Sequence, residues 1–406
     1  MHPEHTPGAS PPVLSWTLHP AVQLPAHAAD WDRLQAATTR TPFLQSAFLL
    51  PLLATFGQGG ELLALGRAHG QLRAAALLRP KGYGQWETFQ PSQLPLGAWV
   101  GHGDDDIAAA AHSLLPRLPG LALTLGLTQI DPHLLPRPAD SAAQQTLDYV
   151  ATAHVPVQGP FDAYWEARGK NLRQNTKKQR NKLLAEGTTT QLECLTRPDE
   201  MAAALLDYGQ LESAGWKAGT GTAVAPDNAQ GRFYRAMLEG FAAQGRARIY
   251  RYRFGDKVVA MDLCIDNGPV IVILKTAYDE SYRTISPSIL MRQEEFAALF
   301  DGAGSGPSEG IERIERIEFY GKVMEWHTRW TDLQRTLYHL NVYRWPVLQR
   351  LHALRQRRRD AAAATAAATA TPATPATPAA APGSTAAAHT TDGPDAEPRR
   401  ATAPVP

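Results

Sequence analysis

Cysteine is scarce in this sequence, with only Cys194 and Cys264 among 406 residues. Both lie in strand-like runs, so we expect buried free thiols in a reducing compartment rather than a disulfide. No apolar run approaches the ~18 residues that a membrane-spanning helix needs. The N-terminus also lacks the basic and apolar regions of a signal peptide. These absences predict a cytoplasmic protein without membrane insertion.

Neither sign of charge is in excess, because 40 Lys and Arg balance 39 Asp and Glu to a net charge of +1. A DNA-binding protein normally carries a basic excess, so this function is not expected. The sequence also lacks a His-Glu-x-x-His motif, a Cys-x-x-Cys pair, a nucleophile elbow and a dinucleotide-binding fingerprint. We therefore expect no metal site and no tightly bound cofactor.

Composition divides the chain into five parts. Residues 1–15 are rich in Pro and His and are predicted to be flexible. Residues 16–150 and 151–345 each have the alternating helix and strand patterns of an α/β domain. Residues 346–360 are predicted to form a basic helical extension. Residues 361–406 are almost all Ala, Thr and Pro, so too little apolar surface is available for folding and we predict a disordered tail.

Periodicity and turn residues predict the individual elements. In the first domain we expect a helix capped by Asp30, a helix from Pro42 to Leu53, a hairpin at 62–65 and 72–78, and a strand at 121–130. The second domain is predicted to have helices at 161–186, 198–212, 231–244 and 288–300, an antiparallel sheet with strands at 188–195, 246–254, 257–266, 270–277 and 314–319, and a last helix at 331–344.

The most informative segment follows the apolar run Val270–Leu274. Ser286 suits a helix N-cap and Pro287 suits the first helical position, so a strand, a polar turn and a capped helix are predicted here. Such an arrangement directs backbone N–H groups and a helix dipole towards an anion. An ordinary strand-to-helix connection is the alternative interpretation.

The order of these elements resembles the acyl-CoA N-acyltransferase (GNAT) superfamily, and four segments resemble its Fem-like and CelD-like (cellulose or exopolysaccharide biosynthesis) branch. The segments are residues 171–183, 212–219, 278–288 and 318–331. The resemblance implies an α/β fold of the α+β type, with two GNAT-like mixed-sheet units around a shared cleft. The first unit would be degenerate, and the second would be the acyltransferase domain.

The resemblance also implies a donor site in the turn before residue 288. The CoA pyrophosphate would bind at Arg283, Thr284, Ile285, Ser286 and Ser288. The sequence departs from the family pattern at Ser288, where a glycine is usual. Phosphate would approach the backbone less closely at this position.

Four residues are candidates for the chemistry. An amine must lose a proton before it attacks a thioester, and Glu318, His327 or Asp279 could accept that proton. Tyr320 lies on the same strand face as Glu318 and could donate to the oxyanion. The alternative interpretation of His327 is a core histidine with a satisfied hydrogen bond, and that of Asp279 is a turn cap.

Two further groups are candidates for substrate binding. Arg173 and Lys177 belong to a cationic stripe with Lys170 and Arg180, which could attract CoA, a phosphorylated sugar or a tRNA, although it could equally be a solvated face. Glu212, Trp216, Lys217 and Lys322 could bind the acceptor, although the first three could instead form a helix end packed on its neighbours.

The function predicted from these observations is N-acyl transfer from acyl-CoA, as a co-substrate, to an amine. The acceptor would be a small molecule or glycan precursor, such as an amino sugar or an envelope or exopolysaccharide intermediate. An aminoacyl-tRNA donor is the enzymatic alternative. A non-catalytic scaffold that binds partners through Arg350–Arg359 and the tail is the alternative from another class. The sequence gives no indication of the oligomeric state.

Overall fold

The computed structural model describes residues 13–102, 105–214, 224–282, 284–302, 313–354 and 357–358. Residues up to Leu354 form one compact unit. The predicted tail at 361–406, most of the predicted flexible N-terminus, Trp216, Lys217 and Arg283 lie outside the described residues. No helix in the described part of the chain is long and apolar enough to cross a membrane.

Thirteen strands form one mixed sheet, and the α/β fold class is thereby confirmed. The strands are β1 Ser15–Pro20, β2 Leu62–Ala68, β3 Gln71–Gly82, β4 Gln85–Thr88, β5 Trp99–Gly101, β6 Thr124–Ile130, β7 Gln144–Pro156, β8 Thr190–Leu195, β9 Ala247–Phe254, β10 Lys257–Asp266, β11 Val270–Tyr278, β12 Arg316–Glu318 and β13 Gln334–Tyr343. Their spatial order is β1-β2-β3-β4-β6-β13-β7-β12-β11-β10-β9-β8, and β5 pairs with β3.

Nine α-helices in the described part of the chain cover the two faces of this sheet. They are α1 Leu24–Ala37, α2 Ser46–Phe56, α3 Ile107–Leu114, α4 Phe161–Glu166, α5 Lys170–Ala185, α6 Pro198–Ala214, α7 Ala229–Ala242, α8 Pro287–Phe300 and α9 Glu325–Thr328. Residues 346–354 are also helical.

The sheet of the second half is buried on both faces. Along β10, Met261, Leu263 and Ile265 contribute to a core cluster that includes residues of α1, α2, α6 and α7. Cys264 contributes to a second cluster with residues of α8 and the start of the 161–166 helix. A strand that is buried on both faces has a nearly continuous hydrophobic sequence. These strands could therefore be predicted from the sequence.

The C-terminal strand joins the two halves of the chain. β13 lies between β6 and β7 and is antiparallel to both. The predicted helix at 331–344 is therefore wrong. Leu337 and Leu340 have helical spacing because β13 carries irregularities between Thr336 and Tyr338 and between Tyr338 and Leu340, which interrupt the two-residue alternation of a strand.

Several other predictions need correction. The helix at 161–186 is broken between α4 and α5, and Asp30 lies inside α1 instead of capping it. β12 is parallel to β11, because α8 forms a crossover between them, so the sheet of the second half is not wholly antiparallel. Cys264 is buried as expected, but Cys194 is exposed.

Two glycines on α7 allow a matched test of the packing. A Cβ on Gly231 would lie 1.8 Å from the Ala225 carbonyl oxygen, whereas a Cβ on Gly240 would meet no atom within 4 Å. Gly231→Ala should therefore lower the free energy of unfolding by roughly 1–3 kcal/mol or more. Gly240→Ala should raise it by up to about 1 kcal/mol through helix propensity. Chemical denaturation measures both, and equal effects would contradict the packing of the 224–225 segment against α7.

Candidate active site

The strands β11 and β12 separate at the predicted donor turn. Their parallel pairing covers only Val270 to Val272, opposite Arg316 to Glu318. After Glu318 the chain follows β7 instead, because the Phe319 N–H donates to the Ala153 carbonyl at 3.2 Å and the Val323 N–H donates to the Ala151 carbonyl at 3.0 Å. From Ile273 to Tyr278, one edge of β11 therefore has no strand partner among the described residues.

The turn after β11 is held by its own backbone and by Asp279. The Ile285 and Ser286 N–H groups donate to the Tyr282 carbonyl at 2.8 and 3.1 Å. Asp279 accepts from the Ser281 N–H at 2.9 Å and pairs with Lys257 at 2.7 Å. Burial favours a higher pKa for Asp279, but the bonds to Lys257 and Ser281 outweigh it and lower the pKa. Asp279 thus has the contacts of a turn cap.

The start of α8 differs from the predicted capping geometry in one respect. Ser286 occupies the N-cap position and Pro287 the first helical position, as predicted, but the Ser286 side chain does not cap the helix. Its φ of 51° places it in the left-handed region. The Ser288 N–H, in the first turn, has no hydrogen-bond partner within the described ranges. Thr284 is exposed and Ile285 is buried.

A cavity of about 670 Å³ opens between the start of α8, one face of α5 and the segment around α9. Ser286 and Ile289 border it from α8, and Arg168 and Gly169 border it at the start of α5. The first-turn N–H groups of α5, residues 170–172, have no partner in the part of the chain that the structure describes. Two helix N-termini therefore meet at one cavity, and both favour an anion.

The face of α5 that lines the cavity carries amides. Asn171, Asn175 and Gln179 lie one turn apart along it. The Gln179 Oε1 atom is buried and has no hydrogen-bond partner among the described residues. These residues were missed by sequence reasoning, because amides on a polar helix give no signal that separates a binding face from a solvated one.

The basic side chains of the predicted cationic stripe on α5 have different contacts. Arg180 contacts α8, with Nη1 2.7 Å from Glu294 Oε1, and Arg173 donates to the Arg168 carbonyl at 3.1 Å. Lys170 and Lys177 are exposed. The buried residues of α5 are Leu172, Thr176 and Leu183.

Glu318 and Tyr320 lie around one buried arginine, but strand alternation does not place them there. β12 ends at Glu318, and Tyr320 lies beyond it with a φ of 46°. Arg335 on β13 donates from Nη2 to Glu318 Oε2 at 2.9 Å and from Nε to Asp131 Oδ1 at 2.8 Å. The Tyr320 hydroxyl donates to Asp131 at 2.8 Å. Arg316 Nε also lies 2.7 Å from Glu318 Oε1, although its N–H does not point at that oxygen. We call Asp131, Glu318, Tyr320 and Arg335 the arginine cluster.

Arg335 binds the carboxyls of both Asp131 and Glu318, and the pKa values of these two carboxyls shift in opposite directions. Burial favours a higher pKa for Asp131, but its bonds to Arg335 outweigh burial, and the pKa of Asp131 is lowered. At Glu318 the effect of burial on the pKa is larger than the opposing effect of the positive charges of Arg335 and Arg316, so the pKa is raised to about 7. Burial also raises the pKa of Tyr320, which keeps its hydroxyl protonated. Glu318 is therefore the acid of the cluster that can exchange a proton near neutral pH.

His327 has the geometry of a buried structural residue. Its Nδ1 accepts from the Met324 N–H at 2.9 Å, and its ring stacks on Trp326. Burial, together with the positive charge of Arg292, lowers the pKa of His327 to about 4. At neutral pH the imidazole is neutral and a weak proton acceptor.

The remaining predicted substrate residues are not brought to the cavity. Glu212 is buried, 2.9 Å from Lys275 Nζ, and accepts from the Val224 N–H at 2.8 Å. It thus connects α6, β11 and the segment that leads into α7. Lys322 is exposed. Asp131 and Arg335 were missed by sequence reasoning, because Arg335 fell in a predicted helix and its partner lies 204 residues away.

Part of the chain matches a known protein family. Residues 170–304 match the family described as "Acetyltransferase (GNAT) domain". This match supports a GNAT-type transferase. No curated protein sequence matches the chain.

Three solved structures align with most of the chain. FemX aligns with a TM-score of 0.51 at 9% identity, over 79% of this chain and 97% of FemX. A C-terminal domain designated part of a lysylphosphatidylglycerol synthetase in Agrobacterium fabrum aligns with a TM-score of 0.49 at 14% identity, over 78% of this chain and 92% of that domain. A tandem GNAT protein from the clavulanic acid biosynthesis pathway aligns with a TM-score of 0.41 at 13% identity, over 80% of this chain and 98% of that protein. At 9% identity, the FemX match shows a shared fold alone.

The raised pKa of Glu318 predicts a pH dependence of stability. A folded-state pKa of about 7, above the ordinary 4.5, means that the folded state binds the proton more tightly. The stabilisation of the folded state by the protonated Glu318 is full below pH 4.5 and is lost as the pH rises to about 7. The difference in unfolding free energy between the parent and Glu318→Gln should fall by about 3 kcal/mol across this range.

Urea denaturation at a series of pH values measures this difference. Glu186→Gln, at an exposed position on the same half of the chain, is the control and should follow the parent. Parallel curves for the parent and Glu318→Gln would contradict the raised pKa.

Proposed function

We propose that this GNAT-type transferase is an N-acyltransferase that moves an acyl group from acyl-CoA to an amine. The proposed acceptor class is an amino sugar or another envelope or exopolysaccharide precursor. The observation that carries the proposal is the cavity at the starts of α5 and α8.

The cavity suits the diphosphate of CoA. Two helix N-termini supply N–H donors and positive ends of dipoles. Arg168 and Arg329 add cations to the lining and Glu325 and Asp332 add carboxylates, so the helix N-termini carry the preference for an anion. Arg329 lies 3.1 Å from Glu325 and Arg168 donates to the Trp330 carbonyl at 2.6 Å, so both are held in position. The unpaired Gln179 oxygen can accept a hydrogen bond from an N–H or O–H of the donor.

We propose that the donor reaches from the cavity to the arginine cluster through the gap between β11 and β12. Phe319 belongs to the core on the α8 side and Tyr320 to the core on the α2 and α7 side. Glu318 is the last residue of β12, so it lies where the pairing of β12 with β11 ends. We place the thioester at this gap, with the diphosphate on the α5 and α8 side of the sheet.

The chemistry of both thiols favours direct transfer from donor to amine. Desolvation raises the pKa of Cys264 and raises that of Cys194 to about 11, and a protonated thiol is a poor nucleophile. In the proposed step the amine nitrogen attacks the thioester carbon, the C–S bond breaks, and CoA leaves as a thiolate that takes up a proton. Glu318 accepts the proton of the amine. Opening of the arginine cluster on substrate binding would be required, because Glu318 is fully buried.

An aminoacyl-tRNA donor remains the second candidate. Lys170, Lys177 and Lys178 are exposed on α5 and could contact a phosphate backbone. Calorimetry with acetyl-CoA, longer acyl-CoAs and a charged tRNA separates the two donors. Saturable binding of an acyl-CoA supports the first, whereas binding of tRNA alone, weakened steeply by salt, supports the second.

Ser288 provides a test of the donor site. Ser288→Glu places a negative charge at the start of α8 and should weaken CoA binding by about 1–3 kcal/mol, because it repels the diphosphate. Ser288→Gln has the same size without the charge and should bind nearly as the parent does. If the folded Ser288→Glu variant binds CoA as tightly as Ser288→Gln in calorimetry, the diphosphate does not bind at this helix.

Substitution of the two candidate bases tests the chemistry. Glu318→Gln should lower turnover roughly 100-fold or more while acyl-CoA binding is retained, because the proton acceptor is lost. His327→Gln should keep turnover within a few-fold, since the pKa of about 4 makes His327 a weak base at neutral pH. Steady-state kinetics measures both, and the reverse ranking would show that His327 is the base.

A further inference from the structure

An exposed apolar patch includes none of the proposed site residues and has no part in the proposed function. We call it the edge patch. Its six side chains are between 46% and 87% exposed. They are Tyr83, Leu121, Trp345, Val347, Leu351 and Leu354.

Backbone contacts join the segments that carry these side chains. The Leu123 N–H donates to the Gly84 carbonyl at 2.6 Å, next to Tyr83 and Leu121. The Arg344 N–H donates to the Leu123 carbonyl at 2.8 Å, and the Arg344 guanidinium lies 5.7 Å from the Trp345 ring. The β3–β4 turn, the approach to β6 and the end of β13 thus form one continuous surface.

The helical residues 346–354 extend this surface. Val347, Leu351 and Leu354 have the spacing of one helix face, and all three are exposed. The helix is attached to β13 on its other side, because His352 Nδ1 and the Tyr343 hydroxyl lie 3.0 Å apart. An apolar stripe therefore points away from the core.

Charge along the sequence of the helix and its continuation has one sign. Residues 344–359 contain six arginines and no acid, in a chain whose net charge is only +1. Arg350 and Arg117 are exposed. Leucines with Trp and Tyr beside a dense arginine run are typical of a helix that lies on an anionic bilayer, where the rings occupy the headgroup level.

We propose that the edge patch binds the surface of an anionic lipid membrane, with Val347, Leu351 and Leu354 at the acyl boundary and Arg344 and Arg350 at the headgroups. A second copy of the chain is a poorer occupant, because a two-fold interface would place the arginines of both copies against each other. A nucleic acid would satisfy the arginines but would leave the leucine stripe without an apolar partner.

Vesicle flotation with the full chain tests the proposal. The parent should bind vesicles of phosphatidylcholine with about 30% phosphatidylglycerol, should bind pure phosphatidylcholine at least tenfold more weakly, and should lose binding as salt is raised. Leu351→Ser/Leu354→Ser should lower binding about tenfold or more. Arg350→Glu should lower it roughly tenfold, and more strongly at low salt.

Leu184→Ser is the matched control, because Leu184 is 79% exposed on α5, away from the edge patch. It should bind vesicles as the parent does, and circular dichroism should show that all variants are folded. Equal binding by the parent and the double variant would overturn the proposal, as would no binding to the anionic vesicles. A dimer that the double variant abolishes in ultracentrifugation would overturn it in favour of self-association.

Discussion

The ion pair between Arg335 and Asp131 is the contact on which the arrangement of the chain depends. It joins β13 to the end of β6, and the same guanidinium reaches Glu318 at the end of β12. Strands from both halves of the sequence are therefore attached to one buried cation. Removal of either partner of such a pair leaves an uncompensated buried charge, which is strongly unfavourable. The position of β12, and hence the gap beside β11, follows from this attachment.

The same cluster explains how one carboxyl can serve as a base in a buried setting. Burial raises the pKa of Glu318 to about 7 despite two nearby arginines, and Arg335 gives most of its hydrogen bonds to Asp131. Residues of α5, α8 and α9 line the cavity, and no residue of the arginine cluster does. The cluster also keeps Arg335 and Arg316 beside the carboxyl that we propose as the base.

The elements that depend on local sequence patterns could be predicted. The hairpins of β9, β10 and β11 were predictable because apolar runs alternate with turns at Gly255 and Gly268, whose positive φ values suit glycine. The start of α8 was predictable from Pro287. β13 was not, because its irregularities give Leu337 and Leu340 helical spacing. The arginine cluster was not predictable, since a buried pair between distant residues leaves no local pattern, and neither was the amide face of α5.

Hydrogen–deuterium exchange with and without saturating acetyl-CoA tests the central claim most directly, because it locates the donor without any substitution. The account predicts slower exchange at the N–H groups of residues 170–172 and of Ser288, which have no partners within the described ranges, and along β11 from Ile273 to Tyr278. Residues 62–82, in β2 and β3, should not change. Protection confined to the first half of the chain, or none anywhere at saturating acetyl-CoA, would contradict the account.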